Sequence, residues 1–284
     1  MKNILLPTDF SENAWNAIDY AFQMFAIEAD HFYMFNSYTP PTIQPTSGIT
    51  SSKNTKILAD MARKASEDGL EEIKKRIKDN YPDLVPKIKI ISTYDTFVSG
   101  VKSAVKEFEI DLIVMGTKGS SGVKEVIIGS NTAGVIGHVT CSVLAIPESA
   151  KYKPVKEITF ATEYDLYWEQ SELNTMLQIA KKSDAAIRVL HALESRNELK
   201  EEQIRVKEYL DGVLNGIPHT YHTLSKLSLE SAVRAFTESR EVDMLCMVAR
   251  HHNFFQRIFG KPRVEEISFH IQIPYLVLHE YTRR

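Results

Sequence analysis

The sequence predicts an α/β protein with parallel sheets covered by helices on both faces, and three observations carry that expectation. Short apolar runs rich in Ile, Val and Leu alternate with longer amphipathic stretches, which is the pattern of βαβ units. The chain has 284 residues, 43% of them apolar, enough for two domains that each bury a core. The second half also begins as the first does, with Ile158 to Glu163 echoing Ile4 to Asp9 at an offset of 154 residues.

An apolar strand, Lys2 to Leu6, stops at Pro7, and a helix runs from Ser11 to about Ala26. Ser11 is its expected N-cap, while Ala14, Ile18, Ala21, Phe22 and Phe25 share one face at helical spacing and belong to the core. Strand His31 to Ser37, helix Ser52 to about Lys78 and strand Lys87 to Ser92 follow. Then come helix Thr96 to Phe108, strand Leu112 to Gly116, a loop, a helix opening at Ser130, and strand Ser142 to Ile146.

The repeat continues further on. Asp111-Leu112-Ile113-Val114-Met115 matches Asp243-Met244-Leu245-Cys246-Met247, and Ser142-Val143-Leu144-Ala145-Ile146 matches Pro274-Tyr275-Leu276-Val277-Leu278, both now at an offset of 132. The second copy is therefore shorter by 22 residues. Turn-rich Tyr38 to Ser51, without apolar period, is the expected site of much of that difference and a candidate lid. The junction is expected near Glu148 to Pro154, dividing the chain into domains 1–150 and 151–284.

Composition excludes several classes. A net charge of −3, with both signs spread along the chain, gives no basic cluster of the kind nucleic-acid binders need. No apolar run approaches the roughly 20 residues that span a bilayer, and Pro7 interrupts the start before a signal-peptide core forms, so a cytoplasmic location is expected. Cys141 and Cys246, the only cysteines, stand in or beside apolar runs and read as buried thiols.

The chemistry concentrates after strand Leu112 to Met115. There Gly116-Thr117-Lys118-Gly119-Ser120-Ser121-Gly122 leads through Val123 to Ile128 into Gly129-Ser130 at a helix start. Gly116 and Gly119 permit close backbone approach to a ligand, and Gly129-Ser130 sets amides and a hydroxyl at the positive end of a helix, so the loop reads as an anion site. Asp9, after the first strand, would meet it, because ligands of open parallel sheets sit beyond the carboxyl ends of the strands. The spacing is neither the dinucleotide fingerprint nor the Walker A loop.

On the opening Ile4-Leu5-Leu6-Pro7-Thr8-Asp9, on Asp111 to Gly116, and on Gly116, Gly119, Gly129 and Ser130 at this spacing, the chain resembles the universal stress protein A family over both halves. The resemblance implies two tandem five-stranded parallel-sheet open α/β sandwiches, adenine nucleotide alpha hydrolase-like and Rossmann-like. It implies ATP, or ADP or AMP, across the strand ends, with or without Mg2+. Carried over, Pro7, Thr8 and Asp9 would meet the adenosine and Ser37 the base through its backbone. Met115, Gly116 and Gly119 would line the ribose and phosphate side, with Gly129, Ser130 and Asn131 on the phosphates. Lys118 and Lys124 would add charge there, against the more ordinary reading of solvated loop lysines. The family also pairs domains through their last strands, so Val143 to Ile146 would meet Tyr275 to Leu278 as an internal pseudo-dimer. Pro274 at its strand's start suits an edge, and whether two such chains form a homodimer stays open.

The second half departs from the motif. Gly116, Gly119 and Asp9 become Val248, His251 and Glu163, Gly260-Lys261 keeps the only glycine near the old loop, and Phe254, Phe255 and Phe259 make the segment bulky. This half is expected not to bind ATP. His251-His252 lacks a visible third ligand at metal spacing. His219 and His222 read as strand residues, and charged Glu198 to Glu208 as a solvated helix face. No nucleophile and base arrangement emerges from spacing, and no general base beyond Asp9. Three functions stand: a nucleotide-dependent binding and signalling module for an unknown protein partner, a slow ATPase, and an interaction scaffold without nucleotide.

Overall fold

The computed structural model describes residues 1–40, 52–117, 129–164, 170–193, 198–249 and 272–279, without the side chains of 52–55. In the first half β1 (Asn3–Pro7) leads to α1 (Glu12–Phe25), β2 (His31–Tyr38) to α2 (Ser52–Asn80), and β3 (Ile88–Tyr94) to α3 (Phe97–Glu107). β4 (Leu112–Gly116), α4 (Ser130–Ile136) and β5 (Ser142–Ile146) complete it. The second half follows with β6 (Glu157–Ala161), α5 (Gln170–Ser183), β7 (Ala186–Leu193), α6 (Glu201–Val213), β8 (His219–Ser225), α7 (Leu229–Ser239), β9 (Met244–Val248) and β10 (Tyr275–Leu278).

The ten strands among the described residues join one sheet in the order β3-β2-β1-β4-β5-β10-β9-β6-β7-β8. Every pairing is parallel except the central one, where β5 meets β10 antiparallel with Val277 opposite Val143 and Tyr275 opposite Ala145. The order of strands reverses between β1 and β4, so their carboxyl ends splay apart and leave a crevice there. Residues of α1, α2, α5 and α6 bury one face of the sheet, and those of α3, α4 and α7 the other. The inner strands are apolar because both faces are covered, β5 being buried at all five residues, whereas the outer strands β3 and β8 carry polar residues and none that is fully buried.

The halves repeat down to single hydrogen bonds. Asp111 Oδ2 accepts the amides of Lys2 and Asn3 at 2.6 and 3.0 Å, and Asp243 Oδ2 accepts those of Lys156 and Glu157 at 2.7 and 3.0 Å. Each carboxylate thereby ties the start of the β1-type strand to the strand beside it.

Several boundaries differ from expectation by a residue or two: β1 spans Asn3–Pro7, one residue later at each end, and β2 runs on to Tyr38. Lys87 ends a 3₁₀ turn, Pro82–Lys87, because Pro82 and Pro86 remove donors that the strand would need, and β3 extends instead to Tyr94. The difference in length between the halves is mainly helix rather than loop. α2 has 29 residues and α6 has 13, so α2 outruns the sheet and leaves Ile57 and Met61 more than half exposed. Of the candidate lid, residues 41–51 lie outside the described residues. Cys141 and Cys246 are free and buried as expected, and burial pushes both thiols up, Cys141 to about 12. Among the described residues no helix is long and apolar enough to cross a membrane.

Candidate functional site

The turn after β1 is built by its own side chains. The Thr8 amide donates to Phe35 O at 2.9 Å, and Thr8 Oγ1 accepts the Phe10 amide at 3.0 Å. That closure holds Phe10 at a φ of 66°, in the left-handed region. Asp9 Oδ1 accepts from the Ser11 amide at 3.1 Å and the Ser11 hydroxyl at 2.5 Å, while Ser11 Oγ caps α1 by accepting the Ala14 amide at 3.2 Å. Asp9 is thus held at the strand end, exposed, by the residue that starts the helix.

Two glycines make room around this turn. A Cβ on Gly69 of α2 would lie 2.6 Å from the Phe10 ring, so the ring seats on the bare helix backbone. A Cβ on Gly116 would lie 2.8 Å from Asn13 Nδ2, so β4 ends directly under an α1 side chain. The chain then leaves at Thr117, whose amide donates to Ile146 O at 3.1 Å, and returns at Gly129, whose amide donates to Thr117 O at 2.8 Å. Thr132 Oγ1 donates to Gly116 O at 2.9 Å and draws α4 over the end of β4.

Between these parts lies a cavity of about 200 Å3, lined by Pro7, Thr8, Asp9, Ala14, Asn36, Ser37, Phe97, Met115, Gly116, Gly129, Asn131 and Thr132. Of the residues expected from sequence, Pro7, Thr8, Asp9, Ser37, Met115, Gly116, Gly129 and Asn131 converge here. Ser130 begins α4, exposed, beside the lining rather than in it. Lys118, Gly119 and Lys124 lie outside the described residues, as do His251, His252, Phe254, Phe255, Phe259, Gly260 and Lys261. Four lining residues escaped the sequence reading. Asn36 Nδ2 donates to Thr8 O at 2.7 Å, Thr132 ties α4 to β4, and Ala14 and Phe97 close the walls. Thr132 had one visible signal, a polar residue on the buried face of a short helix.

Volume alone would favour other hollows. One of about 440 Å3 between α1 and α2 is lined by Glu12, Arg76 and Lys151 among others, and Glu12 pairs with Arg76 at 2.6 Å beside it. Another, of about 390 Å3, lies at the junction of the halves. The first gathers no strand ends and the second gathers the amino-terminal ends of β1, β4 and β5 at Lys2, Asp111 and Ser142, whereas the smaller cavity sits at the carboxyl ends where the strand order reverses. Among the described residues Asp9 is the one charged side chain in its lining, with the hydroxyls of Thr8, Ser37 and Thr132 and the amides of Asn36 and Asn131 beside it.

The matching place in the second half has the same frame with other contents. The Thr162 amide donates to Leu190 O at 2.9 Å, Thr162 Oγ1 accepts the Tyr164 amide at 3.0 Å, and Tyr164 has a φ of 52°. His191 stands where Asn36 does, with Nδ1 2.8 Å from Thr162 O, and its ring packs on Tyr164 with centroids 4.8 Å apart. Tyr164 is 2% exposed where Phe10 is 38%.

This chemistry can be set beside known proteins. The model of the universal stress protein family matches residues 1–147. The chain belongs to the universal stress protein family. It is 25% identical over 158 residues to the universal stress protein MJ0531 of Methanocaldococcus jannaschii, spanning 53% of this chain and 84% of that one. A solved universal stress protein from Archaeoglobus fulgidus covers 98% of both chains with a TM-score of 0.69 at 19% identity. A structure assigned to the same proteins from Pseudomonas aeruginosa covers 98% of this chain and 93% of its own, with a TM-score of 0.56 at 12% identity. At such identities the two structures speak for the fold, and the fold they share with this universal stress protein runs its whole length.

Proposed function

We propose that this universal stress protein binds ATP or a related adenine nucleotide in the crevice of its first half and acts as a stress-response binding and signalling module. The observation that carries the reading is the convergence of three separate strand ends, Pro7 to Asp9, Ser37, and Met115 with Gly116, on one cavity together with Gly129 and Asn131. Gly116 supports it further, since a side chain there would meet Asn13 and close the end of β4 to a ligand. At about 200 Å3 the cavity is below the roughly 300–1,000 Å3 of drug-sized sites, so base and ribose occupy it and the phosphates extend past Gly129 and Asn131. Mg2+, where present, would ride on the phosphates with Asp9 as the nearby carboxylate. Asp9 spends Oδ1 on Ser11, which suits orientation of a ligand better than proton abstraction, so binding is favoured over hydrolysis. In the second half Val248 replaces Gly116, and Tyr164 with His191 occupies the frame, which supports one nucleotide per chain.

Calorimetry of the intact protein with ATP, ADP, AMP and cyclic AMP tests this. The expected result is one site per chain, with Gly119→Val losing phosphate-dependent affinity while remaining folded. No heat and no thermal shift with any of the four would overturn the reading in favour of a scaffold. Two sites per chain would overturn the assignment of the second half.

A further inference from the structure

We propose that His279, a residue of the second half, is a positioning residue for the crevice of the first half: its imidazole holds the C-terminal end of α4 and so sets where Asn131 and Thr132 stand. The inference rests on reading that crevice as a nucleotide site.

α4 has seven residues, about two turns, and helices that short do not hold themselves in water. Its place must be fixed from outside. On the crevice side Thr132 bonds Gly116 O at 2.9 Å. In the middle Gly134 lies against α3, since a Cβ there would be 2.9 Å from Val98 Cγ2. At the far end the last carbonyls have no partner within the helix. The Gly137 amide turns back to Ala133, those of His138 and Val139 to Val135, and His279 Nε2 lies 2.7 Å from Ile136 O. A carbonyl only accepts, so the proton is on Nε2 and the imidazole donates. A donor at this end also complements the helix dipole.

The sheet explains why a residue 143 positions away arrives there. β10 runs antiparallel to β5 with Val277 opposite Val143, so the residue after Leu278 reaches the turn that joins α4 to β5. The tie runs one way. At the repeat-related place, 132 residues earlier, stands Pro147, which has no side-chain donor. The second half, lacking the glycine motif, thereby contributes a contact that the first half cannot make for itself.

The test uses the full chain as wild type, His279→Leu, His279→Gln and Thr175→Ala. Thr175 lies 3.2 Å from Ser142 Oγ across the same junction and serves as a control for general weakening there. Affinities for ATP and for adenosine are measured by calorimetry, and exchange of the α4 amides by hydrogen–deuterium labelling. His279→Leu should lower ATP affinity about fivefold while leaving adenosine unchanged, the scale of one net hydrogen bond, and should speed α4 exchange. His279→Gln, which keeps a donor, should recover most of both, and Thr175→Ala should move neither. Equal losses for ATP and adenosine, an equal effect of Thr175→Ala, or unchanged α4 exchange in His279→Leu would each overturn the proposal. If wild type binds neither ligand, the nucleotide reading fails and the role in affinity with it, while α4 exchange still decides whether His279 holds the helix.

Discussion

The turns after β1 and β6 have the same backbone and opposite uses. Thr8 and Thr162 each receive the amide two residues on, each following residue but one adopts a positive φ, and each strand start is pinned by a carboxylate, Asp111 or Asp243. What differs is where the aromatic ring goes. Phe10 swings out against Gly69 and leaves the strand ends open, whereas Tyr164 lies buried on His191. Backbone hydrogen bonding keeps the frame, and a few side chains decide whether the frame contains a hole or a plug. The plug gives its half buried aromatic packing that the open crevice of the other half lacks.

The largest effect expected from breaking this comparison is on the plug. Tyr164→Ala should destabilise the protein by about 3–5 kcal/mol in urea denaturation, as for other buried aromatics. Phe10→Ala should cost about half of that or less, because its ring is 38% exposed. Similar losses at both positions would mean that the two rings do the same job.

Next in size is conversion of the first half toward the second. Gly116→Val places a branched side chain where a Cβ already meets Asn13 at 2.8 Å, and should cut ATP affinity at least about a hundredfold with little loss of fold. The reverse change, Val248→Gly, should create no second site, since Tyr164 and His191 remain in place. A second equivalent of bound ATP in that variant would show that the glycine alone decides.

The shared frame predicts parallel costs. Asp111→Ala and Asp243→Ala each remove a charged acceptor from two amides and should each cost about 1.5–3 kcal/mol. Asp243 should be the more sensitive, because it is 7% exposed and also pairs with Lys153 at 2.7 Å. Equal midpoints for the two variants would show that this burial adds nothing.

The smallest effect concerns pH. Burial lowers the affinity of His279 for a proton below its ordinary value near 6.5, outweighing the opposite influence of the nearby Ile136 and Val277 carbonyls. The unfolded chain therefore takes up that proton first as pH falls. The contribution to stability is full above about pH 7 and declines below about 6.5. His279→Gln should lose less stability than wild type between pH 7.5 and 5, measured as the shift in urea midpoint. An identical shift in both would assign the acid sensitivity elsewhere, with His222, lowered by burial and then by Arg240 and Arg188, as the next group to vary.

How far the sequence reveals this depends on the range of the interaction. β4 and β5 are read residue for residue because their apolar runs are bounded by local signals, Asp111 and Gly116 for one. Gly116 and Gly129, the two described glycines of the expected loop, both line the crevice. Asn36, Phe97 and Thr132 stay hidden because their roles depend on neighbours in space, Asn36 being 28 residues from the Thr8 carbonyl it bonds. The plug is hidden by register as well. Asp9 and Glu163 are related by 154 residues, but Asn36 and His191 by 155, so one added residue between the strands masks the correspondence. The length of α2 misleads in another way, since turn-rich composition in the preceding segment draws attention from a helix that outruns its sheet.

The antiparallel seam of β5 and β10 has a consequence for assembly. The two strands belong to one chain, so their meeting is unimolecular, and dilution cannot part them as it parts subunits. The seam also consumes both of the strands involved, leaving β3 and β8 as the two outer edges of the sheet among the described residues. Any second copy that joined by extending the sheet would have to do so from those edges, far from the seam on either side.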